Sequence, residues 1–177
     1  NAEFEDLPYY TEVRWLSCHK VLKVFNELSE EIGVFLESKL ETSSFATIIS
    51  DTLWKQDLAF LTDLTSHMNT LNINLQGRNK CITNMYDEIS GFRSKLSLFK
   101  THLTDNILVH FPCCSKLKEK YPDLVFATHI QILDDVKSEF DRRFEDFENY
   151  KTLFKLFMAP FSFDVAEAPL NLQLELI

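Results

Sequence analysis

"LTDLTSHMNTLNINLQGRNKCITNMYDEISGFRSKLSLFKTHL", Leu61 to Leu103, decides how this chain folds. Its apolar side chains return every three or four residues, as Leu61, Leu64, Met68, Leu71 and Leu75, then as Ile82, Met85, Ile89, Phe92, Leu96, Phe99 and Leu103. That is the spacing of one helix face. The phase also survives the glycine between the two halves: steps of seven from Leu61 reach Met68, Leu75, Ile82, Ile89, Leu96 and Leu103. A single rod would keep the whole seam in register, but it would need a partner along a length of about fifty residues. "LQGRNK" places Gly77, Asn79 and a polar Arg78 at the middle of the seam, as a helix end does. The spacing therefore predicts two helices broken or sharply bent at Gly77, each serving as the other's partner in a hairpin.

Working outward, Val21, Phe25, Leu28, Ile32 and Phe35 step by four and three and predict a helix from about Leu16 to Leu40, with Ser17 able to cap it. "ETSSF" is a polar break, after which a second helix starts near Phe45 to Leu53 and runs into the Leu61 stripe. "HFPCCSKLKEKYPD", His110 to Asp123, holds two prolines and reads as a connection. A last helix is expected from about Leu124 to Tyr150, with Ile130, Leu133, Val136, Phe140, Phe144, Phe147 and, further on, Phe154 facing inward. Its opposite side carries Asp134, Asp135, Glu139, Asp141, Glu145, Asp146 and Glu148 against Lys137, Arg142 and Arg143, an acidic solvated face. Pro160 ends the pattern. Phe161, Phe163 and Val165 alternate as a strand or an extended arm would, and "LNLQLELI" after Pro169 starts a short helix or a strand. The expected fold is all-α, an elongated antiparallel helical bundle forming one domain over 1–177, with at most one short strand near the C-terminus.

Composition agrees with that class. The 177 residues include 16 Phe but only 3 Gly and 5 Pro, which disfavours both a turn-rich β fold and disorder. Lys and Arg total 18 against 27 Asp and Glu, a formal charge of −9, so the chain as a whole lacks the basic footprint of nonspecific phosphate binding. Cys18, Cys81, Cys113 and Cys114 form no CxxC pair and read as reduced thiols of an intracellular protein. The sequence shows no apolar run of membrane-spanning length, and its first residues are acidic where a signal peptide is basic. A start without Met and an apolar end at "LQLELI" predict a piece of a longer protein.

Chemistry is hard to place on these residues. His110, Cys113 and Cys114 form H-x-x-C-C without the second ligand pair of a zinc site, and His19, His67, His102 and His129 are scattered over helical segments, where packing explains them. There is no GxSxG elbow and no glycine-rich phosphate loop. The carboxylates lie on helix faces rather than converging in a sheet-based cleft. Neither a catalytic residue, a metal site nor a cofactor is expected, and no enzymatic activity is expected of the chain alone. Lys116, Lys118 and Lys120, with Tyr121 beside them, form a small basic cluster that reads either as a nucleic-acid contact or as a solvated loop. Arg14-Trp15, ahead of the first helix, reads either as a packing anchor or as a platform for stacking a base.

The order of segments resembles a known family. "TEVRWLSCHKVLKVFNELSEEIGVFLESK", then "WKQDLAFLTDLTSHMNTLNINLQGRNKCITNMYDEISGF", "HFPCC" and "FSFDVAEAPLNLQLELI" are similar to the C-terminal half of vertebrate proteins derived from hAT-superfamily transposases. Those include BED-type zinc-finger proteins and the transposase-like tail of general transcription factor II-I repeat-domain proteins. The resemblance implies the helical insertion of a ribonuclease-H-like core, with the first two catalytic Asp residues upstream of Asn1 and the last Glu downstream of Ile177. It implies that Trp15, with Arg14 beside it, corresponds to the residue that holds a flipped base near a DNA end in active members. It also implies a nuclear protein with protein partners or a homodimer, DNA contact through the parent protein, and no membrane or small-molecule substrate. One departure bears on this: Cys18-His19 stand where many members have Arg-Gly, which removes a positive charge beside the motif. The domesticated relatives are, moreover, generally held to have lost transposition. The expectation is a non-catalytic scaffold or interaction region. The alternatives are a DNA-end-binding domain and an adaptor that self-associates through the Leu61 to Leu103 stripe.

Overall fold

The computed structural model describes residues 18–39, 43–77 and 80–173, and every regular element among them is helical. In chain order these are α1 (Cys18–Glu27), α2 (Ser29–Glu37), α3 (Ser43–Ser50), α4 (Thr52–Leu75), α5 (Ile82–Thr104), α6 (Pro112–Lys120), α7 (Ile130–Arg143), α8 (Glu145–Asn149) and α9 (Lys151–Met158). Single 3-10 turns at Phe126–His129, Pro160–Ser162 and Val165–Glu167 complete them.

The decisive stretch forms a hairpin. α4 stops at Leu75, Gly77 takes a φ of 155° that a side chain would oppose, and α5 restarts at Ile82. The two helices run antiparallel: the ring of His67 lies 4.5 Å from that of Phe99, and the Asn74 amide donates to Glu88 Oε2 at 3.0 Å. Phe60, Leu64 and Leu71 of α4 meet Phe92, Leu96, Phe99 and Leu103 of α5 in a core completed by Phe111, Cys114, Phe126 and Leu133. The sevenfold count fails at its first member on each helix, since Leu61 is 46% and Ile82 57% exposed. In α4 the buried face runs through Phe60, Asp63, Leu64 and Leu71, and Leu61, about 100° round the helix from Phe60, falls outside it.

The N-terminal helix expected as one piece is two. Leu28, at φ −98° and ψ 8°, separates α1 from α2, and the Ser29 hydroxyl donates to the Asn26 carbonyl at 3.0 Å. Ser17, the expected cap, lies outside the described residues. α1 packs on α4, with Phe25 edge-on to Trp54 at 5.9 Å, and α2 packs on α3. Asp51 separates α3 from α4 and caps the latter, accepting from the Trp54 amide at 3.2 Å.

The expected connection over His110 to Asp123 holds α6, because Pro112 occupies the first helical position, where its missing N–H costs nothing. The last helix, expected from about Leu124 to Tyr150, begins only at Ile130 and is broken at Phe144 into α7 and α8, and beyond a second break at Tyr150 the chain is helical again as α9. Residues seven apart on a straight helix are separated by about 10.5 Å along its axis, yet the rings of Phe147 and Phe154 are 6.0 Å apart and both meet Tyr86 of α5. The breaks fold the chain back so that one aromatic ladder stays on α5. Where Phe161, Phe163 and Val165 leave a strand or an extended arm open, the chain forms two 3-10 turns joined by extended backbone at Phe163 and Asp164.

Candidate functional site

The N-terminus of α6 is built by a residue fifty positions earlier in the chain. Its N-cap position is Phe111, whose side chain cannot accept a hydrogen bond. Asp63 of α4 supplies the acceptor: its carboxylate receives the Cys113 N–H at 2.9 and 3.1 Å and the Cys114 N–H at 3.1 Å, from a site only 3% exposed. This places a negative charge where the amides and dipole of a helix favour one. Burial nevertheless raises the Asp63 pKa above the ordinary value, with the amides of Cys114 and Cys113 pulling against it.

The same burial, with Asp63 beside them, pushes the Cys113 thiol up to about 12 and raises that of Cys114 as well. A thiol raised in this way is the opposite of an activated nucleophile. His110 turns the other way. Its ring stacks on that of His102 at 5.0 Å, its carbonyl oxygen lies 2.8 Å from His67 Nε2, and burial lowers its pKa, helped by His102 and His67. The H-x-x-C-C residues thus face separate neighbours. Among the described residues no group of three or more His, Cys, Asp or Glu side chains is placed to hold a metal ion.

The three lysines do not form one patch. Lys116 and Lys120 line a cleft with Asn26, Glu27 and Glu30, whereas Lys118 lines a separate recess with Asn106 and Leu108. Alternate residues of a helix point about 200° apart, so a cluster written on every second position divides once α6 forms. Lys120 pairs with Glu30, which lowers the Glu30 pKa and raises that of Lys120. Arg14 and Trp15 lie outside the described residues. His19, one of the two departures beside them, sits against α4 with Nε2 3.5 Å from the Asn69 amide nitrogen.

A groove of about 750 Å³ between α5 and α9 was not legible in the sequence. Tyr86, Phe154, Met158 and Phe163 give it an apolar lining, and Arg93, Lys137, Lys151 and Lys155 give it cations. Arg93 reaches Asp141 and Glu148 at 2.6 Å each, and Lys137 shares Asp141 at 3.0 Å. Ser90, Ser94 and Ser97 form its wall on α5, on the side away from the core. That serine row, at spacings of four and three, is the one trace of the groove in the sequence.

Residues 1–104 match the family model described as the FAM200/GTF2IRD2 helical domain. The whole chain is 40% identical to General transcription factor II-I repeat domain-containing protein 2 of Bos taurus and 37% identical to that of Mus musculus. It spans 18% of the length of either relative. No solved structure matches it.

Proposed function

Because this chain belongs to the FAM200/GTF2IRD2-like helical-domain family, we propose that it is a non-catalytic protein-interaction region of a longer nuclear protein descended from an hAT-type transposase. One observation carries the reading: a closed core coexists with large apolar side chains left outside it. Val34 and Phe35 of α2, Phe45 and Ile48 of α3 and Leu53 of α4 are all exposed on helices that pack on one another. Phe157 and Phe161 are exposed at the other end of the described chain. Large apolar side chains left exposed together on helices that pack on one another mark sites where another protein docks.

The nuclear setting rests on the transcription-factor name of the relatives. Descent from a transposase rests on the order of the "VRWLS", "HFPCC" and "FSFDV" blocks. Protein is favoured over nucleic acid as the partner by the charge of −9 and by the division of the α6 lysines, one of them neutralised by Glu30. Self-association through the Leu61 to Leu103 stripe is disfavoured, because Ile89, Phe92, Leu96, Phe99 and Leu103 are buried within the chain itself.

The test is crosslinking of the full-length protein in nuclei, with and without residues 1–177. The expected result is loss of crosslinked protein partners with DNA occupancy kept. Loss of DNA occupancy with protein partners kept, reproduced by Trp15→Ala or by Lys116→Ala with Lys118→Ala and Lys120→Ala, would overturn the reading in favour of a DNA-end-binding domain.

A further inference from the structure

Resting on that reading, we propose that the groove between α5 and α9 is the docking site for an acidic amphipathic helix of a partner protein. Its volume of about 750 Å³ suits several buried side chains. The apolar surface also runs past the groove. Phe157, beside Met158 on α9, is 78% exposed, and Phe161, between the lining residues Ala159 and Ser162, is fully exposed. A small molecule would leave those rings in water, whereas a helix with apolar residues at three- and four-residue intervals spans lining and flank together.

Charge selects the partner's sign. Four cations line the groove against two anions, Asp87 and Glu148, in a chain whose formal charge is −9. Arg93 is committed to Asp141 and Glu148, and Lys151 stands 3.6 Å from Glu148. Lys155 has no ion pair among the described residues and projects from the exposed side of α9. Carboxylates flanking the apolar stripe of a partner helix would meet Lys155 and Lys151, while basic residues there would add to the like charge. A nucleic-acid backbone fits less well, since it would bring an unbroken row of phosphates past Asp87 and Glu148, whereas a helix can set single carboxylates against the lysines and apolar residues elsewhere.

The probe is a fluorescein-labelled helical peptide of about twenty residues, with Leu and Phe at three- and four-residue steps and Glu on both flanks. Its fluorescence anisotropy is followed on titration with the 177-residue chain. Saturable binding of the Glu peptide is expected, weakened about tenfold by Lys151→Glu with Lys155→Glu. The matching Lys-flanked peptide is expected to bind wild type poorly and to gain affinity for that variant. Met158→Ala, which trims the apolar lining and leaves the charge unchanged, should weaken the Glu peptide too, with melting curves showing that each variant folds. No binding of the Glu peptide, equal affinity for both peptides, or affinity unchanged in the variants would overturn the proposal. So would sedimentation showing that the groove is closed by a second copy of the chain. If the peptide fails while deletion of residues 1–177 still removes protein partners in nuclei, this site falls and the wider reading stands.

Discussion

Asp63→Ala removes the acceptor on which α6 begins. Two amides, Cys113 N–H and Cys114 N–H, lose their hydrogen bonds to a carboxylate that is 3% exposed, and no local side chain at Phe111 replaces it. Loss of a cap costs about 0.5 to 2 kcal/mol, and a buried donor left without a partner costs about 1 to 3 kcal/mol. These overlap at one helix end, so a loss of about 2 to 4 kcal/mol is expected. For a chain of this size that lowers the melting temperature by about 5 to 15 °C, read by far-ultraviolet circular dichroism or urea titration. Asp63→Asn keeps one acceptor oxygen and should lose about half as much. The pair also separates burial from hydrogen bonding. Burial raises the folded pKa of Asp63, so between the unfolded and folded values the native chain binds more protons, and this group's contribution to stability falls as pH rises through that window. Asp63→Asn has no such titration. The stability gap between wild type and Asp63→Asn should therefore narrow as pH rises from about 4 toward neutrality. A gap that widens would show that the amides outweigh burial, and an Asp63→Ala chain that melts within about 1 °C of wild type would refute the role of Asp63 altogether.

Three further outcomes follow from local geometry. Asn106 holds a φ of 56° at the end of α5, with the Ile107 N–H bonded to the His102 carbonyl at 2.7 Å, so Asn106→Gly should raise stability by about 0.5 kcal/mol in a urea melt. Gly77→Ala should lower it by about 1 kcal/mol or more in the same assay, since the φ of 155° opposes a side chain. Thiol labelling of the native chain near neutral pH should modify Cys81 first, being exposed with its pKa lowered by hydrogen bonding to Thr83 and Asn84, and should leave Cys113 and Cys114 protected until unfolding.

How much of this was legible in the sequence differs by element. The α5 half of the seam was readable because Ile89, Phe92, Leu96, Phe99 and Leu103 follow three- and four-residue steps and all are buried. The turn at Gly77 was readable from glycine chemistry. α6 was not, because Pro112 looks like an interruption until its position at the first turn is known, and its cap comes from Asp63, about fifty residues away. The breaks at Phe144 and Tyr150 have no proline or glycine to announce them; they follow from both Phe147 and Phe154 seeking the ring of Tyr86. The lysine cluster was legible as composition but not as geometry, since only the helix reveals that Lys118 points away from Lys116 and Lys120. The α5–α9 groove depends on tertiary packing across those same breaks, which no local pattern encodes.

The central claim is that the Leu61 to Leu103 stripe closes on itself within one chain, leaving the outer surfaces of α2, α3 and α9 to partners. Thr70 and Lys95 are exposed residues on α4 and α5 that line one recess, so dyes placed on them in a single chain read the hairpin directly. Efficient energy transfer, independent of protein concentration and reporting a separation below about 20 Å, is the expected result. A separation near 38 Å, that of twenty-five residues along a continuous helix at about 1.5 Å per residue, or transfer that appears only on mixing singly labelled chains, would contradict it.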